Sequence, residues 1–356
     1  ANSKAEKAGK DVAAQSKLVK WAEDTKISGR MYFDFTNVRQ RSGGAGVAAT
    51  NRTTNFDLKR FYLGVDHKFN KTFSANLTTD VTYISGVGAS LYIKKAYLQA
   101  KLANELTIRL GATDQPWIPF AEGVYGYRHI ENTLTDRIKY GTSSDWGIHA
   151  LGKLAGGIVE YDVAVVNGGG YRNVPGVGGT NRSRSLDFEG RVNVNYANFV
   201  VGVGGYTGKL GKDTTTNPAT HTANRLDALV AYKTKRFTVG GEYFWSKNYL
   251  AVNALPTAQD QKAQGYSAFA SVNITPKVSV FGRYDHVKPN KTLVDFKDDY
   301  FNVGVQYSPA KIVDLALVFK RDRVANGLLS TSNGTIGGPT LGTTGTYNEF
   351  GLFGQF

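Results

Sequence analysis

From Lys26 to the C-terminus the chain reads in steps of two. In ISGRMYFDF, Gly29, Met31, Phe33 and Phe35 share one face of an extended backbone, and Ser28, Arg30, Tyr32 and Asp34 take the other. FSANLTTDVTY repeats the pattern, with Phe73, Ala75, Leu77, Val81 and Tyr83 against Ser74, Asn76, Thr78, Asp80 and Thr82. The alternation returns in AYLQAKL, LTIRLGA, WGIHALGKL, VEYDVAV, LDFEGRVNVNY, RLDALVAY, FTVGGEYFW, YSAFASVNI, VSVFGRYDH, FNVGVQY and VDLALVF. It persists into the closing YNEFGLFGQF, where Phe350, Leu352, Gly354 and Phe356 oppose Glu349, Gly351, Phe353 and Gln355. A strand that runs to the last residue needs a partner there, and a closed barrel pairs the last strand with the first.

Alternation alone does not say which face is wet. Strand number does: about sixteen strands of roughly 10 residues make a ring too wide for side chains to fill, so the polar face lines a lumen and the apolar face meets lipid. Tight turns such as FNKTF, LANEL, LAGGI, YANFV, KTKRF, ITPKV and SPAKI alternate with long polar loops at 41–55, 168–183, 207–221, 248–262 and 324–345. Short periplasmic turns and long external loops are the rhythm of an outer-membrane barrel, with Tyr and Phe near strand ends as its interfacial girdles.

Two segments depart from the rhythm. Residues 1–25 are rich in Ala and Lys, and Val12, Ala13, Leu18, Val19, Trp21 and Ala22 fall loosely at helical spacing, which predicts a short amphipathic periplasmic helix ahead of a barrel at 26–356. Residues 114–145, DQPWIPFAEGVYGYRHIENTLTDRIKYGTSSD, are aromatic and charged, and Pro116 and Pro119 exclude a central strand. A loop this long inside a compact fold is usually functional. It is expected to fold into the lumen and narrow it, with a short helix around Glu131 to Lys139.

Composition narrows the classes. No apolar run approaches the roughly 20 residues of a membrane-spanning helix. The 20 Tyr, 19 Phe and 41 Gly suit an all-β chain, and with no cysteine there is neither a disulfide framework nor a thiolate metal site. The opening ANSKAEKAGK lacks Met and an apolar stretch, and reads as a mature form from which any export signal has been removed. His67, His129, His149, His221 and His286 show no metal-ligand spacing, and neither G-x-S-x-G, H-E-x-x-H nor a phosphate-cradling P-loop occurs. No metal, no cofactor and no catalytic residue is expected. The formal charge of +14 implies attraction for anions.

The lumen charges carry the functional reading. By parity Arg30, Arg60, Lys95, Lys101 and Arg109 all face inward on the first five strands, with Lys59 beside Arg60. Later strands carry inward Lys153, Arg191, Arg225, Arg283 and Lys320, interspersed with Glu160, Asp162, Asp187, Glu189, Asp227, Glu242 and Asp285; mixed signs of this kind are ordinary for a wet wall. The inserted loop adds Arg128, Arg137 and Lys139 beside Glu122, Glu131 and Asp136. A row of guanidinium groups in a narrow channel lowers the cost for an anion that sheds water.

KISGRMYFDF, DLKRFYLGVDHKF, KKAYLQAKL and LTIRLGATDQPWIPF together resemble the opening of the phosphate-selective porin family, porins O and P of Gram-negative bacteria. The resemblance covers the first third of the chain; the remainder shares the architecture and the closing Phe. It implies a sixteen-stranded outer-membrane barrel, usually trimeric, that conducts anions along an arginine ladder through an eyelet of early-strand arginines and the third loop. Arg30 matches the family's first-strand arginine, and Lys59 and Arg60 its paired basic position, here with Lys before Arg. Arg128 and Arg137 are both candidates for the loop arginine. The chain is shorter than the family's pattern and has many inward acidic residues, which leaves an anion-preferring or general pore as the implied activity.

The expected function is passive diffusion of small hydrophilic solutes, with preference for anions such as phosphate or carboxylates, through a constriction of Arg30, Lys59, Arg60, Lys95, Arg109, Arg128 and Arg137. Expected partners are small anionic solutes, outer-membrane lipids and two further copies of the chain; nucleic acid is not among them, because the basic residues alternate with apolar ones. A sugar porin would lean instead on Trp117, Phe120, Tyr125 and Tyr127. An outer-membrane hydrolase would need Ser and His to meet across strands and would lose activity on replacing one of them, and an adhesin or phage receptor would use the long loops.

Overall fold

The computed structural model describes residues 18–41, 51–84, 88–172 and 182–356, together with residues 6, 10, 15 and 16. Its strands are β1 Thr25–Arg41, β2 Asn51–Lys68, β3 Phe73–Ile84, β4 Gly88–Lys101, β5 Thr107–Asp114, β6 Ser144–Leu154, β7 Val159–Val166, β8 Asp187–Tyr196 and β9 Phe199–Gly208. They continue with β10 Ala223–Lys233, β11 Phe237–Lys247, β12 Lys262–Thr275, β13 Val278–Lys288, β14 Lys297–Ala310, β15 Val313–Ala325, β16 Leu328–Thr331, β17 Gly334–Gly337 and β18 Thr344–Gln355. All but β16 and β17 join one closed antiparallel barrel, in which β18 lies between β15 and β1. Phe353 stands opposite Asp34, and the Phe356 backbone both donates to and accepts from Met31, at 3.2 and 2.8 Å. The terminal aromatic strip is therefore the seam that closes the ring.

Exposure identifies the two faces. Leu91 and Ile93 on β4 are 58% and 44% exposed on the outside, whereas Tyr32 and Asp80 are 3% and 0% exposed on the inside. Apolar residues point out because sixteen strands enclose more space than their inward side chains fill, which leaves the interior to water and loops. Aromatics gather near the short-turn rim: Phe199 and Tyr232 lie 4.8 Å apart, and Tyr232 and Phe237 5.7 Å. Residues 18–23 are helical, and Trp21 packs 5.8 Å from the His67 ring at the end of β2. Val12 and Ala13 of the expected helical pattern lie outside the described residues, as do 42–50 and 173–181 of the loops expected at 41–55 and 168–183.

The 114–145 interruption folds inward. Its first helix, Ile118–Tyr125, begins with Pro119 in the first turn and stops at Gly126, whose φ is 83°. Proline at the start and a left-handed glycine at the end are the termini a helix favours. A second, single-turn helix, Leu134–Arg137, falls inside the range expected at 131–139. The 324–345 segment departs from expectation. Instead of a plain external loop it contains the β16–β17 hairpin, whose Leu329 and Ile336 are buried against Leu134 and Ile138 of the inserted loop.

Candidate functional site

The inserted loop is bound to one half of the wall. Trp117, Ile118, Ala121, Val124 and Tyr125 pack on Leu229, Ala231 and Phe269 of β10 and β12. Gly202 and Gly204 of β9 make room for it, because a Cβ at either would come within 2.6 Å of the Phe120 or Trp117 ring. Polar anchors extend the contact. Arg225 of β10 pairs with Glu189 at 2.8 Å and Asp227 at 2.7 Å, and donates to the Tyr140 carbonyl. Arg283 of β13 donates to the Asn132 carbonyl at 2.6 Å, and Lys320 of β15 lies between Glu131 at 3.5 Å and Glu349 at 2.9 Å. The mixed charges of the later strands thus hold the loop.

Arg137 belongs with these anchors. Its guanidinium is fully buried, with Nε 2.9 Å from Asp285, Nη1 3.0 Å from Asp322 and Nη2 2.6 Å from Asp298. It also stacks 4.5 Å over the Tyr300 ring. As one of two candidates for a channel-lining loop arginine, Arg137 is placed away from the open space, while Arg128 lines it. The physical reason is the spacing of Asp285, Asp298 and Asp322 on three adjacent strands, which presents carboxylates to all the guanidinium nitrogens at once.

On the opposite side, Tyr32 of β1, residues 57–60 of β2 and residues 81–83 of β3 border open space, and two β-bulges shape this wall of β1 to β4. Tyr32 pairs with Arg60 and Phe33 with Leu58, so Lys59 is an extra residue; Thr78 pairs with Lys95 and Thr79 with Ile93, so Lys94 is another. A bulge sets two neighbouring residues against one and lets both point to the same side. Lys59 reaches Asp34 at 3.1 Å and lies 4.5 Å over the Phe353 ring, while Arg60 pairs with Asp80 at 3.2 Å. Lys94 donates to the Tyr62 hydroxyl at 3.2 Å, and Lys95 pairs with Asp114 at 2.7 Å where the loop leaves β5. Asp80 also accepts the Tyr92 hydroxyl at 2.9 Å and the Phe61 N–H at 3.3 Å, holding β2 where its ladder with β3 stops above Leu63 and Thr79.

The remaining expected residues step along this wall. Arg30 is exposed, in register with Tyr62 and two residues from Tyr32. Arg109 is held by Gln99 at 2.9 Å and lies 5.0 Å over the Tyr97 ring, toward the short-turn rim. Arg128, from the loop, pairs with Glu122 and lies 3.5 Å from Asp136. Two cations escaped the sequence reading. Lys94 was hidden behind Lys95, although the adjacent KK and the switch of apolar positions from Leu91 and Ile93 to Ala96 and Leu98 mark a bulge. Arg172, which donates to the Tyr92 hydroxyl at 2.6 Å and stacks 4.7 Å over its ring, stands in a glycine-rich loop without periodicity.

Lys59, Arg60, Arg128, Tyr171 and Arg172 line a cavity of about 670 Å³ between this wall and the inserted loop. His129 and Glu131 also border it. Burial, reinforced by Lys59, Lys320 and Arg30 against Asp314, lowers His129 to about 4, so its ring is neutral near pH 7. Burial opposes ionisation of Glu131, yet Lys320, Lys59, the Ser332 hydroxyl and the Asn132 N–H outweigh it and hold the carboxyl at about 2. Asp57 and Asp136 line it as well, so the cavity carries both signs, with guanidinium groups that stay charged across the physiological range.

No family model and no curated protein sequence matches the chain. Solved structures do. The anion-selective porin from Comamonas acidovorans superposes with a TM-score of 0.65 at 14% identity, over 93% of this chain and 100% of that one. The outer-membrane channel DcaP of Acinetobacter baumannii gives 0.62 at 11% identity, over 92% and 98% of the two chains. The trimer form of Vibrio cholerae OmpT gives 0.59 at 11% identity, over 93% and 99%. At these identities the likeness is one of fold: the chain has the sixteen-stranded barrel of the outer-membrane porins.

Proposed function

We propose that the protein is an outer-membrane porin, a passive diffusion channel for small hydrophilic solutes with preference for anions. One observation carries the reading: the inserted loop engages the carboxylates of Asp285, Asp298 and Asp322 through Arg137, while Lys59, Arg60, Arg128 and Arg172 line the open cavity. Solutes enter from the long-loop side, pass Arg60, Arg128 and Arg172, and descend past Arg30, Lys95 and Arg109 to the periplasm. Arg60 and Arg172 offer guanidinium forks that suit phosphate or carboxylate oxygens. The structural likeness to the anion-selective porin of Comamonas acidovorans supports this reading, as does the resemblance of the first third of the chain to phosphate-selective porins. The trimeric Vibrio barrel supports assembly as a homotrimer in the outer membrane. The sugar-track alternative is weakened, because Trp117 and Tyr125 are buried in the loop–wall contact.

The deciding experiment is the zero-current reversal potential of the purified protein in a planar bilayer under a salt gradient. Anion preference in the native protein, sharply reduced in Arg60→Ala and further in the Arg60→Ala/Arg128→Ala pair, is the expected result. Native cation preference, or variants with unchanged selectivity, would sink the assignment.

A further inference from the structure

We propose that the β16–β17 hairpin is the second jaw of the constriction and sets the size of solute that passes, an inference that rests on the channel reading above. The hairpin has two unlike sides. Leu329 and Ile336, directly opposite one another across its strands, are 2% and 1% exposed and bury against Leu134, Ile138, Phe296 and Val324. Its turn carries only small neutral polar groups. Thr331, Ser332, Asn333 and Gly334 line the same cavity as Lys59, Arg60, Arg128 and Arg172. A Cβ built on Gly334, whose φ is 98°, would meet nothing within 4 Å, so the turn borders open space.

The hairpin is fastened at several points. The Ser332 N–H donates to the Arg137 carbonyl at 2.7 Å, and the Ser332 hydroxyl to Glu131 at 2.7 Å. Asn333 donates to Asp322 at 3.3 Å, Lys139 donates to the Ser330 hydroxyl at 2.7 Å, and Gln40 of β1 donates to the Thr335 carbonyl at 3.0 Å. These bonds join the hairpin to the inserted loop, to β15 and to β1. They hold its tip over the space that the loop alone would leave wider. The resulting aperture has the guanidinium and ammonium groups of Lys59, Arg60, Arg128 and Arg172 on one side and the hydroxyl and amide groups of the tip on the other, with the Glu131 carboxylate tied to the Ser332 hydroxyl. That pairing suits a compact oxyanion, which takes its charge partner from the wall and neutral hydrogen bonds from the tip, and it turns away bulkier anions by size.

The chain has no cysteine, so one introduced thiol reports cleanly. Ser332→Cys is labelled in the intact protein with a sulfonated methanethiosulfonate, labelling is confirmed by mass, and single-channel conductance is recorded before and after. The expected result is a loss of conductance on labelling. A second variant replaces residues 328–337 by a short glycine linker; removing the jaw should raise conductance roughly two-fold, since conduction follows pore diameter, and admit larger anions. Complete labelling with unaltered current, or a deletion variant with native conductance, would overturn the proposal. Reversal potential is read in the same recordings: a cation-preferring native pore defeats the anion assignment, while the conductance changes test the jaw separately.

Discussion

Arg137 illustrates how one side chain can position a whole loop. Three carboxylates from β13, β14 and β15 surround its guanidinium, and none of these four groups is exposed to solvent. Burying charges is costly, and a buried cluster is tolerated when it is paired and hydrogen-bonded. Arg137→Leu would leave Asp285 with Arg283 as its remaining cation, beside Asp322 with only the Asn333 amide and Asp298 without its guanidinium partner. We expect that variant to lose about 3–5 kcal/mol, the usual cost of breaking a buried ion pair, seen as a lower denaturant midpoint in detergent. The released loop should also make the open-channel current noisier. An unchanged midpoint would mean that the apolar packing of Trp117 and Ile118 alone fixes the loop. Nothing in the local run LTDRIK distinguishes this arginine from a solvated one, because its partners lie 148 to 185 residues away in sequence.

At the scale of strands, the two bulges turn an alternating pattern into paired cations. In β4, Leu91 and Ile93 point outward before the bulge, and Leu98 points outward after it, so the apolar parity changes across Lys94 and Lys95. A one-residue change in register would otherwise send every later side chain to the wrong face. Deleting Lys94 should therefore restore plain alternation: Ile93 remains outside, Lys95 remains inside, and the barrel closes with one lumen cation fewer. The expected outcome is a folded, conducting channel whose reversal potential moves toward zero; a barrel that fails to insert would show that the bulge is needed for closure. This element was legible in part. Period-two alternation revealed the strands, their inward faces and the inserted loop, because a half-wet sheet must repeat that pattern. The β16–β17 hairpin was not legible, since strands of four residues joined through a tight turn, with Gly334 and Gly337 in β17, carry too little periodicity to stand out from a loop. The helix at Ile118–Tyr125 had a readable signal, Pro119 at its start and Gly126 just beyond its end, that the emphasis on prolines as strand breakers obscured.

Across the whole molecule, both signs of charge occur around the lumen, mostly in pairs, and the loop groups bordering the cavity contribute to how that balance responds to pH. Arg60, Arg128 and Arg172 remain charged throughout the accessible range. His129, bordering the cavity, is lowered to about 4 chiefly by burial, and Asp136, paired with Arg128, is raised above the ordinary carboxylate value, again chiefly by burial. Glu131, held at about 2, keeps its negative charge well below pH 4. Acidification therefore adds positive charge in steps of one sign: Asp136 loses a negative charge as it takes up a proton, and His129 gains a positive one near pH 4. Anion preference should rise as pH falls, with a step near pH 4 in place of the step near 6.5 that an ordinary exposed histidine would give. His129→Gln should reduce the rise near pH 4 to the part that Asp136 contributes and leave the plateau at neutral pH unchanged. Reversal potentials measured from pH 8 to pH 3 decide the matter. A step near 6.5 that vanishes in His129→Gln would show the ring to be solvated, whereas a shift toward cations in acid would mean that groups outside this cavity control the pore.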